Sequence, residues 1–112
     1  MEIKDMATLE ITSNNFESLM KEHSQKLIII DFWADWCAPC KMLAPTLESL
    51  SEKHKNTISI FKLNTEENMQ LAQNYQITSI PCCILFKNNK EIHRIIGHKS
   101  EDAFEAEMSQ FL

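Results

Sequence analysis

Glycine is almost absent from this chain: there is one in 112 residues, beside three prolines and one tyrosine. So few chain breakers exclude a collagen-like tract, a flexible linker and a disordered tail, and no segment repeats. Positive charge is also in deficit. Eleven Lys and Arg stand against sixteen Asp and Glu, a formal net charge of −5 with the two signs interspersed, the opposite of the basic footprint of a nucleic-acid binder. Long apolar runs are missing too. The longest, residues 27–30 carried on to 34, is the size of a strand and holds an acid, so no membrane span is expected. Residues 1–11 lack the basic segment, apolar stretch and small-residue cleavage site of a secretory signal. Together these absences predict a soluble, cytoplasmic protein with neither nucleic acid nor membrane as partner.

What is present suffices for a core. A hydrophobic content of 44% at this length predicts a single domain over residues 1–112 that folds without covalent cross-links. In a reducing compartment its four cysteines are then catalytic, metal-binding or buried rather than a disulfide framework.

Residues 8–11 alternate weakly and predict a short first strand, after which Thr12 or Ser13 is expected to cap a helix with Phe16, Leu19 and Met20 on its apolar face. The run 27–33 is β-branched and apolar on both faces, as in a strand at the centre of a sheet, which makes Asp31 anomalous there. From Cys37 to about His54, Leu43, Leu47 and Leu50 recur at helical spacing. Pro45 interrupts them and predicts a kink, because it has no N–H for the carbonyl of Lys41. Residues 58–63 predict a strand with Ile58, Ile60 and Lys62 on one face and Ser59, Phe61 and Leu63 on the other. Residues 65–75 predict a helix with Met69 and Leu71 or Ala72 inward, and 82–86 another strand. Asn88 and Asn89 tolerate positive φ and suit a tight hairpin leading into a strand over 91–96, which Gly97 ends. Ser100 then caps a last amphipathic helix carrying Phe104, Met108, Phe111 and Leu112. The order βαβαβαββα predicts an α/β sheet with helices on both faces, parallel strands first and an antiparallel hairpin after.

The stretch 31–45, DFWADWCAPCKMLAP, carries the chemistry. Cys37 falls where strand gives way to helix, so unpaired backbone N–H groups and the helix dipole favour its thiolate by about 1–2 kcal/mol, and the thiolate is the nucleophilic form. Cys40 lies one turn on and can reach the Cys37 sulfur to expel whatever is bound to it. Pro39 presets φ in the first turn, where its missing N–H is no loss, and Trp36 supplies an apolar lip. The competing reading of C-x-x-C is half a zinc site. Its other half would come from Cys82 and Cys83, which lack the two-residue gap, or from the scattered His54, His93 and His98. Entry into a helix through Pro39, rather than a loop knuckle, weighs against it.

At W-C-A-P-C-K, with D-F-W-A-D before it, Pro45, K-L-N at 62–64, I-P at 80–81 and Gly97, the sequence resembles the thioredoxin family over nearly its whole length. The resemblance implies a thioredoxin fold, a central five-stranded mixed sheet in the order 1-3-2-4-5 flanked by four helices, with the fifth strand antiparallel to the fourth. It implies a cis bond between Ile80 and Pro81, lying against the cysteine pair, and a groove for an extended substrate segment lined by Trp36, Ala38, Pro39, Ile80, Pro81, Ile96 and Gly97. The implied activity is protein-disulfide reduction, with Cys37 as nucleophile and Cys40 as resolving thiol. Asp31, with Lys62 as its neighbour, would accept the proton of Cys40; burial raises a carboxylate toward neutrality, as a base working near pH 7 requires. No bound cofactor or metal and a monomeric state are implied. Electrons would come from NADPH through a flavin-containing thioredoxin reductase, and the other partners would be disulfide-containing proteins.

Several positions depart from the family pattern. Ala38 replaces the commonest glycine, and Gln76, Ser79 and Asn89 stand where glycines are frequent. Cys82 stands where threonine is usual after the proline. Cys82 and Cys83 have three readings: small buried core residues, an oxidation-sensitive thiol close to Pro81, or a third ligand that joins Cys37 and Cys40 around a metal or iron–sulfur cluster. A thioredoxin-like binding scaffold with no redox role is the remaining alternative.

Overall fold

The structure is a computed structural model in which residues 8–112 are described. Of the stretch read for a secretory signal, residues 1–7 lie outside the described residues. Within the described residues the elements run β1 (Leu9–Glu10), α1 (Phe16–Glu22), β2 (Leu27–Trp33), α2 (Ala38–Lys53), β3 (Ile58–Asn64), α3 (Met69–Asn74), β4 (Cys82–Lys87), β5 (Lys90–Ile96) and α4 (Glu101–Ser109).

The doubly apolar β2 takes the middle of the sheet, in the expected order β1-β3-β2-β4-β5. β3 lies parallel beside it with Ile29 opposite Ile60 and Asp31 opposite Lys62. β4 lies antiparallel on the other side and sets Cys83 opposite Asp31. β5 returns antiparallel to β4 through Asn88 and Asn89, whose φ of 54° and 65° is the left-handed backbone that a two-residue hairpin requires and asparagine tolerates.

Because strand residues alternate, the sheet feeds two cores. Leu27, Ile29, Ile58, Ile60, Cys83, Leu85 and Ile95 meet Leu43, Leu47 and Leu50 of α2 and Phe104 and Met108 of α4. Across the sheet, Ile28, Ile30, Phe32, Phe61, Leu63, Cys82, Ile84 and Phe86 meet Met20 of α1, with Phe16, Leu19, Leu71 and Tyr75 packed around them. Each fully buried Leu, Ile or Phe contributes about 1.5–3 kcal/mol over an exposed one. Among the described residues no helix is long and apolar enough to cross a membrane.

Four local expectations are corrected. Neither Thr12 nor Ser13 caps α1. Asn15 holds the N-cap position, and its Oδ1 accepts the N–H of Thr12 at 2.7 Å, turning the loop back on itself so that the helix starts at Phe16. α3 begins four residues later than the predicted 65, because Asn64 Oδ1 accepts the N–H groups of Glu66 and Glu67 at 2.9 and 3.2 Å and holds 65–67 in a turn. Met69 is 63% exposed at the start of the shortened helix, leaving Leu71 and Ala72 half-buried. Leu112 lies past the end of α4 and is exposed. Beyond these four, α2 runs as one helix through Pro45, with Lys41 and Pro45 both exposed.

Candidate active site

β2 ends at Trp33 beside the buried Ala34, whose carbonyl accepts the N–H of Cys37 at 3.2 Å and closes the turn into α2. Cys37 is extended (φ −93°, ψ 103°) and occupies the N-cap, with Pro39 in the first turn. Its sulfur accepts the N–H of Cys40 at 3.2 Å, satisfying one of the helix's orphan donors. Cys37 and Cys40 are joined as a disulfide with their Cα atoms 5.3 Å apart. Both are buried, in a small cluster with Ala34 and the flanking Trp33 and Ile80. Ala38 and Pro39 lie exposed above the disulfide. Trp36 is 69% exposed, and its Nε1–H donates to Glu66 Oε2 at 2.7 Å. Nothing in the sequence pointed to Glu66, which reaches Trp36 only because the turn after β3 comes up beside the loop after β2.

The peptide bond between Ile80 and Pro81 is cis, and the Ile80 carbonyl oxygen lies 3.8 Å from Cys37 Sγ. The Pro81 carbonyl accepts the N–H of Gly97 at 2.8 Å. Gly97 has φ 87°, a conformation for which glycine carries no steric penalty. Ile96, exposed, pairs with Cys82 across β4 and β5. Backbone pairing thus joins Pro81 to Gly97 and Cys82 to Ile96, next in the chain to the Ile80 carbonyl that lies against Cys37.

Asp31 sits on the α2 face of β2 and is completely buried. Burial is the largest influence on it and raises its carboxyl pKa to about 7, against opposing pulls from the Lys62 charge and the Cys83 thiol. Lys62 is half-buried opposite Asp31 in the sheet, and its Nζ lies 4.8 Å from the centroid of the Trp33 ring. Cys83 Sγ lies 3.9 Å from Asp31 Oδ1. Oδ2 of Asp31 and Nε1 of Trp33 are buried without a hydrogen-bond partner.

The adjacent cysteines part company because successive strand residues face opposite ways. Cys82 packs with Phe32, Ile84 and Phe86 on the α1 side, and Cys83 with Ile29, Leu43 and Leu47 on the α2 side. Burial, the largest cause for each, pushes both thiols up, Cys83 the further of the two. The thiol beside Asp31 is therefore Cys83, and Cys82, the unusual residue directly after Pro81, faces the opposite core. The third-ligand reading of Cys82 finds no cluster behind it: among the described residues no group of three or more His, Cys, Asp or Glu is placed to hold a metal ion.

A disulfide capping a helix beneath the exposed Trp36, Ala38 and Pro39, at the end of a central strand that carries a buried carboxyl, places the molecule in the class of dithiol–disulfide exchange proteins. Comparison with known proteins gives the family. The sequence model of the thioredoxin family matches residues 7–110, and the chain belongs to that family. It is similar to a thioredoxin of Alicyclobacillus acidocaldarius, 37% identical over 106 residues that cover 95% of this chain and 99% of the other. It also matches a bifunctional thioredoxin reductase/thioredoxin of Mycobacterium leprae, 37% identical over 102 residues, 91% of this chain but 22% of that longer one. Among solved structures, reduced Schistosoma mansoni thioredoxin superposes with a TM-score of 0.83 at 32% identity, covering 94% of this chain and 98% of its own. With Cys37 and Cys40 paired in this fold, the protein is a thiol–disulfide oxidoreductase of the disulfide-reductase type.

Proposed function

We propose that the protein, a single domain acting as a monomer in the cytoplasm, reduces disulfides of other proteins with Cys37 as nucleophile and Cys40 as resolving thiol. The observation that carries this reading is the Cys37–Cys40 disulfide at the N-cap of α2, 3.8 Å from the Ile80 carbonyl. Once reduced, the Cys37 thiolate attacks one sulfur of a substrate disulfide. The substrate S–S bond breaks, its other sulfur leaves as a thiolate and takes up a proton, and a mixed disulfide joins Cys37 to the substrate. Cys40 then gives its proton to Asp31 and attacks Cys37 Sγ. The Cys37–Cys40 bond forms, the second substrate sulfur leaves, and two electrons have passed from the dithiol to the substrate.

Each role has its physical support. The Cys40 N–H already points at Cys37 Sγ, and a charge-assisted hydrogen bond with the helix dipole favours the thiolate there. A carboxyl with a pKa of about 7 can take a proton and return it at neutral pH. Lys62, opposite it, opposes the effect of burial and keeps the carboxylate accessible. The exposed Trp36, Ala38, Pro39 and Ile96, with Ile80, Pro81 and Gly97, form the docking surface for an extended substrate segment. The dithiol would be regenerated from NADPH by a flavin-containing thioredoxin reductase; the bifunctional relative, by its name, carries both activities in one chain.

The test is NADPH oxidation in the presence of a thioredoxin reductase and a disulfide-containing protein. Sustained turnover that requires both Cys37 and Cys40 is expected; no turnover by a preparation with both thiols free would sink the reading. Single-turnover kinetics separate the steps. Asp31→Asn should slow resolution by Cys40 about tenfold or more and leave the first attack within about twofold. Equal effects on the two steps would remove Asp31 from the acceptor role.

A further inference from the structure

Asp31 has one side-chain hydrogen-bond partner among the described residues, and it is a group to which the exchange chemistry assigns no part. Antiparallel pairing of β2 and β4 sets Cys83 directly opposite Asp31, with Sγ 3.9 Å from Oδ1, while Oδ2 is buried with no partner. The two oxygens of the carboxyl are therefore not equivalent. Cys83 is itself completely buried, and its ionisation is pushed far up by burial and by the neighbouring carboxylate, so it stays an S–H donor throughout the working pH range.

The other groups around Asp31 do not substitute for it. From β3 comes Lys62, with its Nζ near the face of the Trp33 ring. From α2, across the same face, come the apolar Leu43 and Leu47; Cys40, in the adjoining cluster with Ala34 and Cys37, titrates only after reduction. Cys82 belongs to the opposite face of the sheet. An S–H is a weak donor in water, but in an apolar interior the hydrogen bond is electrostatically stronger, and it favours the charged form of its acceptor.

We propose that Cys83 is a positioning residue for disulfide exchange: its S–H holds Oδ1 of Asp31 toward β4 and leaves Oδ2 as the oxygen that receives the proton of Cys40. The proposal rests on Asp31 as proton acceptor. Cys83 touches neither substrate nor the reacting sulfurs in this scheme; it acts through the carboxyl, fixing its orientation and moderating the rise in its basicity. The register across β2 and β4 makes this possible, because of the two cysteines that follow Pro81 only Cys83 shares the face of Asp31.

The S–H stretching band in the infrared tests it directly. In the oxidised protein Cys37 and Cys40 carry no S–H, so a Cys82→Ala variant leaves Cys83 as the sole source of the band. The band should move as Asp31 ionises, with the same midpoint as the Asp31 carboxyl band, and should be insensitive to pH when Asp31→Asn is added. A Cys83 band that stays fixed while Asp31 titrates overturns the proposal. A second readout is the Asp31 midpoint in Cys83→Ala, expected to rise by about one pH unit, a tenfold gain in proton affinity, and to return part of the way in Cys83→Ser. The pH profile of resolution by Cys40 should move with it, and that of the first attack should not. An unmoved midpoint overturns the role of Cys83 alone. A moved midpoint with an unmoved resolution profile overturns the acceptor role of Asp31, and the positioning role with it.

Discussion

Ionising Asp31 in the folded protein leaves a carboxylate in an apolar interior with one thiol contact and one unpaired oxygen. Its pKa of about 7 compares with an ordinary value of 3.8, and the difference is a statement about stability. Between about pH 4 and about pH 7 the unfolded chain has released this proton and the folded protein still holds it. The unfolded state binds fewer protons there, so stability falls as pH rises. The loss is absent below the unfolded value and complete once the pH has passed the folded one. Three pH units at about 1.4 kcal/mol each amount to about 4 kcal/mol, a large share of the roughly 5–15 kcal/mol that holds a typical domain together. Asp31→Asn abolishes the titration. Its stability relative to the parent should therefore climb by about 4 kcal/mol from about pH 4 to about pH 8. Any constant contribution of the new amide cancels, since only the change with pH is read. Urea unfolding of both oxidised proteins at fixed ionic strength measures this, and the remaining titrating groups, including the lowered Glu105 carboxyl, are common to both. Stability curves that run parallel across the range would refute the reasoning and return Asp31 to an ordinary carboxyl.

Two further predictions concern single positions. Cys40→Ser keeps the attacking sulfur and removes the resolving one, so it should accumulate a one-to-one mixed disulfide through Cys37 that is visible as added mass without reductant; Cys37→Ser should form none, and the reverse pattern would exchange the two roles. Gln76 has φ 54°, where an L side chain costs about 1 kcal/mol that glycine avoids. Gln76→Gly should accordingly raise the urea midpoint by the equivalent of about 1 kcal/mol, and a lower midpoint would show that the glutamine side chain matters more than its backbone.

The elements that could be read from residue order are those whose signals are local. The β-branched run of β2, the helical spacing of Leu43, Leu47 and Leu50 in α2, the two asparagines of the hairpin and the Ser100 cap, which accepts the N–H of Ala103, each depend on residues within a turn or two of one another. Helix starts differ from the expected ones where an asparagine side chain two or three residues away competes with helix propensity for backbone N–H groups. Asn64 shortened α3 by capturing two amides, and Asn15 displaced the expected cap of α1 by bonding backward to Thr12. Trp36 shows a different limit, since its indole partner Glu66 is thirty residues away in the chain.

By itself, the order of residues determined that a cysteine pair would stand at the mouth of a helix following a buried strand, because strand period, helix period and the first-turn proline are written in consecutive positions. It also placed an acid inside that strand. Only the tertiary structure decided what the acid meets. Asp31 is fifty-two residues from Cys83, and the register that brings them together is set by the packing of the whole sheet. A shift of one residue in β4 would have turned Cys82 to the carboxyl and Cys83 to the opposite core.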